Sequence, residues 1–345
     1  MSTILVIRLS SLGDVAITVP ILYSVAKKYP GDHFLLLTQY PGHSLFINKP
    51  SNLTVYPVYT KEKHKGIKGI LRLLRELAAV IPKGEVKVAD LHGVIRSFVI
   101  DCYFRLKGST VAIINKGRKE KRQLVRQKHK VMQPLKTTSD RYRQVFEKLG
   151  YNSSIRFDGL FSEKPVNELI RIGIAPFAKH RGKMYPLELM EKVVAGLSEL
   201  PNMQITLFGS KEEQNRLELW TQNYRNVTSI VGQMTLQEEL FLMNQLDLML
   251  SMDSANMHLA SLVNTPVISI WGATHPYTGF YGFNQNPLNP VQIDMSCRPC
   301  SVFGNKPCFR GDYACLKQIA PEAIIEKIFS ILKTRGAYED RTRHL

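Results

Sequence analysis

The run Thr3-Ile-Leu-Val-Ile-Arg-Leu9 is apolar at nearly every position, so neither of its faces can be left to water. Such a strand belongs inside a parallel sheet covered on both sides, because a strand with one wet face would alternate polar and apolar residues. After residues 4–9, further runs at 34–38, 55–58, 86–91 and 111–115 read as strands. A second series follows at 171–175, 204–208, 227–231, 247–251 and 267–271. Helical patterns lie between them, notably at 67–81, where Ile70, Leu73, Leu74 and Leu77 recur on one face. Strands alternating with helices in two series predict an α/β protein with two doubly wound, Rossmann-like domains. The polar stretch at 151–167 has neither period and is expected to hold the linker.

A length of 345 residues suits two domains of about 100–200 residues each, and 44% hydrophobic content is ample for two cores. No basic segment followed by a long apolar stretch opens the chain, and an uninterrupted apolar run of about 18 residues occurs nowhere. The expected location is cytoplasmic.

Two helix starts carry candidate chemistry. After the first strand, Ser10-Ser-Leu-Gly-Asp14 leads into a helix expected over residues 15–29. Gly13 lets backbone approach a ligand, and Asp14 stands at the carboxyl edge of the strand, where open α/β sheets bind their ligands. Asp14 is therefore a candidate general base; the alternative is a carboxylate that only caps the helix. Near the other end, an apolar run reaches Asp253-Ser-Ala-Asn-Met-His258. Asp253 and Ser254 are expected to cap a helix carrying His258, whose free amides and dipole suit a pyrophosphate. The alternative is an ordinary strand-to-helix joint.

The formal net charge of +17 calls for an anionic partner. It is densest between residues 105 and 130, where a run including Arg118, Lys119, Lys121 and Arg122 meets a single acid, Glu120. Such a segment attracts phosphates, nucleic acid or an anionic membrane, or else is a solvated loop. Because no helix-turn-helix, RNP or finger pattern accompanies it, a nucleic-acid-binding α/β protein is the second reading and not the first. A nicotinamide oxidoreductase would share the α/β alternation, but the first turn lacks G-x-G-x-x-G. Cys297-Arg-Pro-Cys300 has zinc-ligand spacing, while the further spacings to Cys308 and Cys315 fit no common finger. Structural zinc and four free thiols both remain open. Cys102 lies on an apolar helix and reads as core.

Taken in order, Arg8-Leu-Ser-Ser-Leu-Gly-Asp14, Lys183-Met-Tyr-Pro186, Phe208-Gly-Ser-Lys-Glu-Glu213, Asp253 to His258 with Thr265-Pro266, and Gly272-Ala-Thr-His-Pro276 resemble the motifs of glycosyltransferase family 9, the ADP-heptose:lipopolysaccharide heptosyltransferases. The resemblance runs from the first residues to about Lys333. It implies a GT-B architecture, two Rossmann-like domains facing across a cleft. Residues 1–160 would bind acceptor and 161–335 nucleotide sugar, with the last helix open to packing back on the first domain and 336–345 a polar tail. The implied reaction is inverting, metal-independent transfer of a heptose from ADP-heptose to an anionic lipid A inner-core acceptor. No cofactor beyond the ADP-sugar and no nucleic acid is implied, and the enzyme would touch the cytoplasmic face of the inner membrane peripherally. Another nucleotide sugar is the alternative donor.

By the same resemblance Asp14 is the base and Lys183 neutralises the departing ADP. Gly13, Asp253, Ser254, Ala255 and His258 would hold the diphosphate, Glu213 the ribose and Met234 the adenine. Ser10, Ser11, Arg118, Lys119 and Arg122 would meet the acceptor. The chain departs from the family pattern where many members have glycine after the Asp-Ser pair, with Ala255 and Asn256, and where many have Pro-Gly, with Pro176-Phe177.

Overall fold

The computed structural model describes residues 1–164, 169–200 and 202–334. The polar tail expected at 336–345, and residues 165–167 of the expected linker, lie outside the described residues. The first elements are β1 (Thr3–Ile7), α1 (Leu12–Lys28), β2 (His33–Gln39), β3 (Leu53–Val58), α2 (Gly66–Val80), β4 (Val86–Asp90), α3 (Ile95–Leu106), β5 (Thr110–Ile113), α4 (Arg118–Leu124) and α5 (Thr138–Lys148). There follow β6 (Ile170–Ala175), α6 (Leu187–Ser198), β7 (Met203–Leu207), α7 (Gln214–Asn223), β8 (Val227–Ser229), α8 (Leu236–Asn244), β9 (Leu248–Met252), α9 (Ala255–Leu262), β10 (Val267–Ile270), α10 (Ala314–Lys317) and α11 (Pro321–Thr334). Every strand expected from the apolar runs is present, with ends moved by a residue or two. Helix α1 starts earlier than expected, at Leu12, because Ser11 and Asp14 form a capping box.

The chain forms two compact units. The first comprises Met1–Gly117 and Lys136–Leu160, and its sheet is parallel in the order β3-β2-β1-β4-β5. Side chains of a strand alternate faces. Leu5, Ile7, Leu35, Leu37 and Val88 therefore share one face, where they are buried with Leu73, Leu74 and Leu77 of α2 and Ile100 and Phe104 of α3. On the other face Ile4, Val6, Phe34 and Leu36 are equally buried, and α1 and α5 pack together there, in contact with β2 and β4 respectively. This double cover is why β1 reads as one apolar run.

The second unit comprises Arg118–Leu135 and the chain from Phe161, with a parallel sheet ordered β10-β9-β6-β7-β8. Its core includes Ile172, Ile174, Ile205, Leu207, Leu250 and Ile268. Where the sequence left the last helix open to a return to the first domain, α11 packs on α6 and puts Ile324, Ile328 and Leu332 into the second core. Tyr185, fully buried, ties this layer together by donating to the Ile319 carbonyl at 2.7 Å.

Topology singles out one place in each sheet. The chain winds outward from β1 to β3, then returns to lay β4 on the other side of β1; it winds outward from β6 to β8, then returns to lay β9 beside β6. At such a reversal the loops leaving two neighbouring strands diverge and open a crevice at the carboxyl edge.

Candidate functional site

In the first unit the reversal lies between β1 and β4, with Ile7 opposite Asp90. Arg8 follows β1 directly and is buried, 7% exposed. Its Nη1 donates to the Leu91 carbonyl at 2.8 Å, its Nη2 lies 2.5 Å from Asp14 Oδ2, and its guanidinium stands 5.7 Å from the centre of the Tyr142 ring. Asp14 Oδ2 also accepts from the Ser11 hydroxyl at 2.8 Å and the Ser11 amide at 3.2 Å. Asp14 thus completes a helix cap, and its side chain remains 22% exposed at the crevice with a cation fixing its direction. Gly13 is buried in the same turn, Ser10 is half-buried and Ser11 exposed.

Behind this turn, Asp90 ends β4 and accepts from the amides of His92 at 2.7 Å and Gly93 at 2.9 Å and from the Ser97 hydroxyl at 2.8 Å. Asp101 on α3 is fully buried, and neither of its oxygens finds an N–H or O–H donor. Burial first, and then the neighbouring Asp90 carboxylate, push its carboxyl up to about 8, so at neutral pH it is an acid that bonds to Asp90 through its own proton. His92, beside them, is pushed down to about 4 by burial and by the charges of Arg8 and Lys116, and is neutral.

A pH dependence follows from the sign of the Asp101 shift. The folded state holds this proton up to about 8 while an unfolded aspartate loses it near 3.8. Stability from this group therefore falls as pH rises through that window. Asp101→Asn, whose amide can donate to Asp90 without titrating, is expected to gain in melting temperature over the parent, by an amount that grows from pH 4 to pH 8. A constant difference between the two melting curves across that range would show Asp101 ionised in the folded protein.

In the second unit the reversal lies between β6 and β9, with Ala175 opposite Ser251. Lys183 closes a short turn after β6, and its ammonium lies 2.8 Å from Oδ2 of Asp253, the residue after β9. The Thr274 hydroxyl donates to the same oxygen at 2.7 Å. Asp253 is 5% exposed and the Lys183 side chain 15%, so the carboxylate is the buried anchor and the ammonium the group nearer solvent. Asp253 and Ser254 do not cap α9 as the sequence suggested. Asp253 is spent on Lys183 and Thr274, the Ser254 hydroxyl lies 3.1 Å from that of Ser251, and α9 starts without a side-chain cap. Its first-turn amides are thereby directed at the crevice edge beside a lysine, an arrangement suited to an anion.

The remaining candidates lie at the same carboxyl edge. Glu213 follows β7, and its Oε2 accepts from the Ser210 amide at 2.7 Å, so it is a cap as well. Met234 follows β8 and is 40% exposed, so it is not a core side chain. Ala255 is half-buried and His258, one turn into α9, is buried at 8%.

The loop arrangement depends on residues the sequence reading passed over. Arg298, read only as a spacer between two cysteines, is 4% exposed and donates to the carbonyls of Gly272, Trp271, Thr274 and Ile293 and to the Gln292 side chain. One guanidinium thus holds the loop after β10 that carries Thr274. Among 46 lysines and arginines no local signal marks it. Gly304, at φ +72°, is the other: a Cβ there would come within 2.6 Å of Lys183 Cγ, so the lysine stem lies directly on its backbone.

Cys297, Cys300, Cys308 and Cys315 line a single cavity of about 10 Å³. Burial first pushes Cys315 up to about 11 and raises Cys300, so both are protonated thiols at neutral pH. Among the described residues no group of three or more His, Cys, Asp or Glu is arranged to hold a metal ion. Cys102, expected in the core, is half-buried.

The basic run requires a correction of place. The sequence reading set it in the first domain, whereas residues 118–135 group with the second unit. Lys121 is buried with its ammonium 4.1 Å from the centre of the Phe280 ring, Lys130 donates to the carbonyls of Ser296 at 3.2 Å and Pro299 at 3.0 Å, and the Leu135 amide donates to Tyr277 at 3.0 Å. Arg118, Lys119 and Arg122 are exposed.

The sequence profile of Glycosyltransferase family 9 (heptosyltransferase) matches residues 114–306. A relative of the whole length is the lipopolysaccharide heptosyltransferase 1 of Campylobacter coli, 24% identical, the match covering 94% of this chain and 97% of that protein. Among solved structures, the glycosyltransferase family 9 protein of Veillonella parvula matches with a TM-score of 0.74 at 19% identity, covering 96% of this chain and 97% of the other. The E. coli heptosyltransferase WaaC with ADP matches with a TM-score of 0.69 at 19% identity, covering 95% and 99%.

Proposed function

Since the chain belongs to glycosyltransferase family 9 and is a glycosyltransferase of two doubly wound α/β domains, we propose that it moves a heptose from ADP-heptose to an anionic lipopolysaccharide inner-core acceptor, with inversion and without a metal ion. The observation that carries the reading is the Lys183, Asp253 and Thr274 triangle beside the start of α9, at the reversal point of the second sheet. As the bond from sugar to diphosphate breaks, negative charge moves onto the departing ADP. An ammonium fixed by a buried carboxylate, together with backbone amides, stabilises that charge more in the transition state than in the ground state. Ser254, Ala255 and His258 complete the surroundings of the diphosphate, Glu213 accepts from the ribose hydroxyls, and Met234 lies against the adenine.

At the other reversal, Asp14 takes the proton of the acceptor hydroxyl, and the freed oxygen attacks the anomeric carbon on the side opposite ADP through an oxocarbenium-like state. Arg8 and Ser11 hold the carboxylate toward that proton. Ser10 and Ser11 meet the acceptor sugar, and the exposed Arg118, Lys119 and Arg122 meet its phosphates. No helix among the described residues is long and apolar enough to cross a membrane. On the proposed reading the protein meets its lipid acceptor by peripheral contact at the cytoplasmic face of the inner membrane.

Release of ADP from ADP-heptose, measured with phosphorylated core oligosaccharide as acceptor, is expected in EDTA at the rate seen with magnesium, because amides and Lys183 hold the diphosphate. Activity that disappears in EDTA and returns with magnesium alone would overturn the metal-independent route. Turnover with a different nucleotide sugar and none with ADP-heptose would move the donor assignment.

A further inference from the structure

Helix α3 is apolar on two opposite sides. Ser97, Ile100, Asp101 and Phe104 face the sheet and are buried. On the reverse, Ile95, Phe98, Val99 and Leu106 are 86%, 55%, 36% and 90% exposed, with the half-buried Cys102 between them. The spacing i, i+3, i+4, i+7, i+11 makes them one continuous stripe along the helix. The neighbouring α2 packs against α3 and adds Ile67 and Leu71, 80% and 49% exposed. Scattered single exposed hydrophobics need no explanation, but a contiguous apolar stripe on a folded domain marks a surface meant to be covered.

Charge indicates what covers it. Helices α2 and α3 and their flanks expose Lys65, Lys68, Arg72, Arg75, Arg105 and Lys107. Within the two helices the only carboxylates are withdrawn, Asp101 being buried and protonated and Glu76 tied to Tyr56, His64 and Arg72, while the flanks add the exposed Glu62 and Glu85. A second copy of this chain set face to face on the stripe would bring like charges together, and a nucleic acid would leave the apolar stripe wet. A bilayer with anionic headgroups satisfies both, taking the apolar side chains below the headgroups and the cations among them.

We propose that the outer face of α3, with the adjoining end of α2, is the surface by which this protein lies on an anionic membrane. The proposal rests on, and deepens, the peripheral contact proposed above. Its test requires no turnover, so the docking surface and the transfer reaction can fail separately.

The experiment is sedimentation of the full chain with vesicles of phosphatidylcholine alone, or with one part phosphatidylglycerol to two of phosphatidylcholine. Strong binding is expected only to the anionic vesicles, weakening as salt rises. Phe98→Asp combined with Leu106→Asp should bind about tenfold more weakly or worse while keeping the parent's melting curve, since Leu106 is almost wholly exposed and Phe98 more than half. A second variant replaces Lys65, Lys68, Arg75 and Arg105 by glutamine, and should lose the salt dependence. Vesicle binding unchanged in both variants would overturn the assignment. So would a dimer in the absence of vesicles that the Asp variant converts to monomer, which would give the stripe to a second copy.

Discussion

Asp14→Asn is expected to lower kcat by about 10²- to 10⁴-fold, the usual range for loss of a general base. Asparagine suits the test because its side-chain oxygen can still accept from the Ser11 amide and hydroxyl, so the start of α1 survives. Asp14→Ala would add a second effect. Both substitutions take the carboxylate from the buried Arg8 guanidinium, but alanine leaves it no side-chain oxygen at all where asparagine still offers one, and stripping one member of a largely buried ion pair costs about 3–5 kcal/mol. The measurement is steady-state turnover with a melting curve alongside. Parent-like kcat in a folded Asp14→Asn protein would reduce Asp14 to a cap and leave the first domain without a base.

Lys183→Gln is expected to reduce kcat by about 10²- to 10³-fold, as for removal of one donor aimed at developing charge. The glutamine amide can still donate to Asp253, so the carboxylate keeps a partner. Asp253 and Lys183 should act as a unit, since a positioned ammonium is worth little once its anchor is gone. Asp253→Asn should therefore also lose turnover, and the double variant should be no slower than Lys183→Gln alone. Losses that multiply would show that Asp253 acts on the substrate directly. An unchanged kcat in Lys183→Gln would dismantle the leaving-group assignment.

How much of this was legible in the sequence depended on whether the determinant is local. The strands announced themselves because β1, β2, β6, β7 and β9 are covered on both faces, which writes burial into consecutive residues. The apolar side of α2 was equally plain, since Leu73, Leu77 and Leu74 carry the helical period. Asp14, Lys183 and Asp253 could be picked out by motif, but their partners could not, because Arg8 to Leu91 and Asp253 to Thr274 are bonds between loops brought together only by strand order. Arg298 was invisible for a stronger reason. Nearly all its acceptors are main-chain carbonyls, which every residue type possesses and no sequence distinguishes. Misplacing residues 118–135 has the same origin: the resemblance implied one continuous first domain over 1–160, while a ring, Phe280, and the carbonyls of Ser296, Pro299 and Tyr277 hold the segment to the second.

That segment bears on how such proteins can be recombined. A second domain transplanted by cutting the chain at the 160/161 boundary would arrive without α4, leaving Phe280 without its cation and the carbonyls of Tyr277, Ser296 and Pro299 without their donors, while the recipient's own matching segment, fitted to other loops, would be left behind with the first domain. The second domain is inherited in two pieces, one of them embedded in the first. An exchange of the second domain between relatives must therefore carry both pieces together, and homologous crossovers that respect only the later boundary should yield mostly poorly folded offspring.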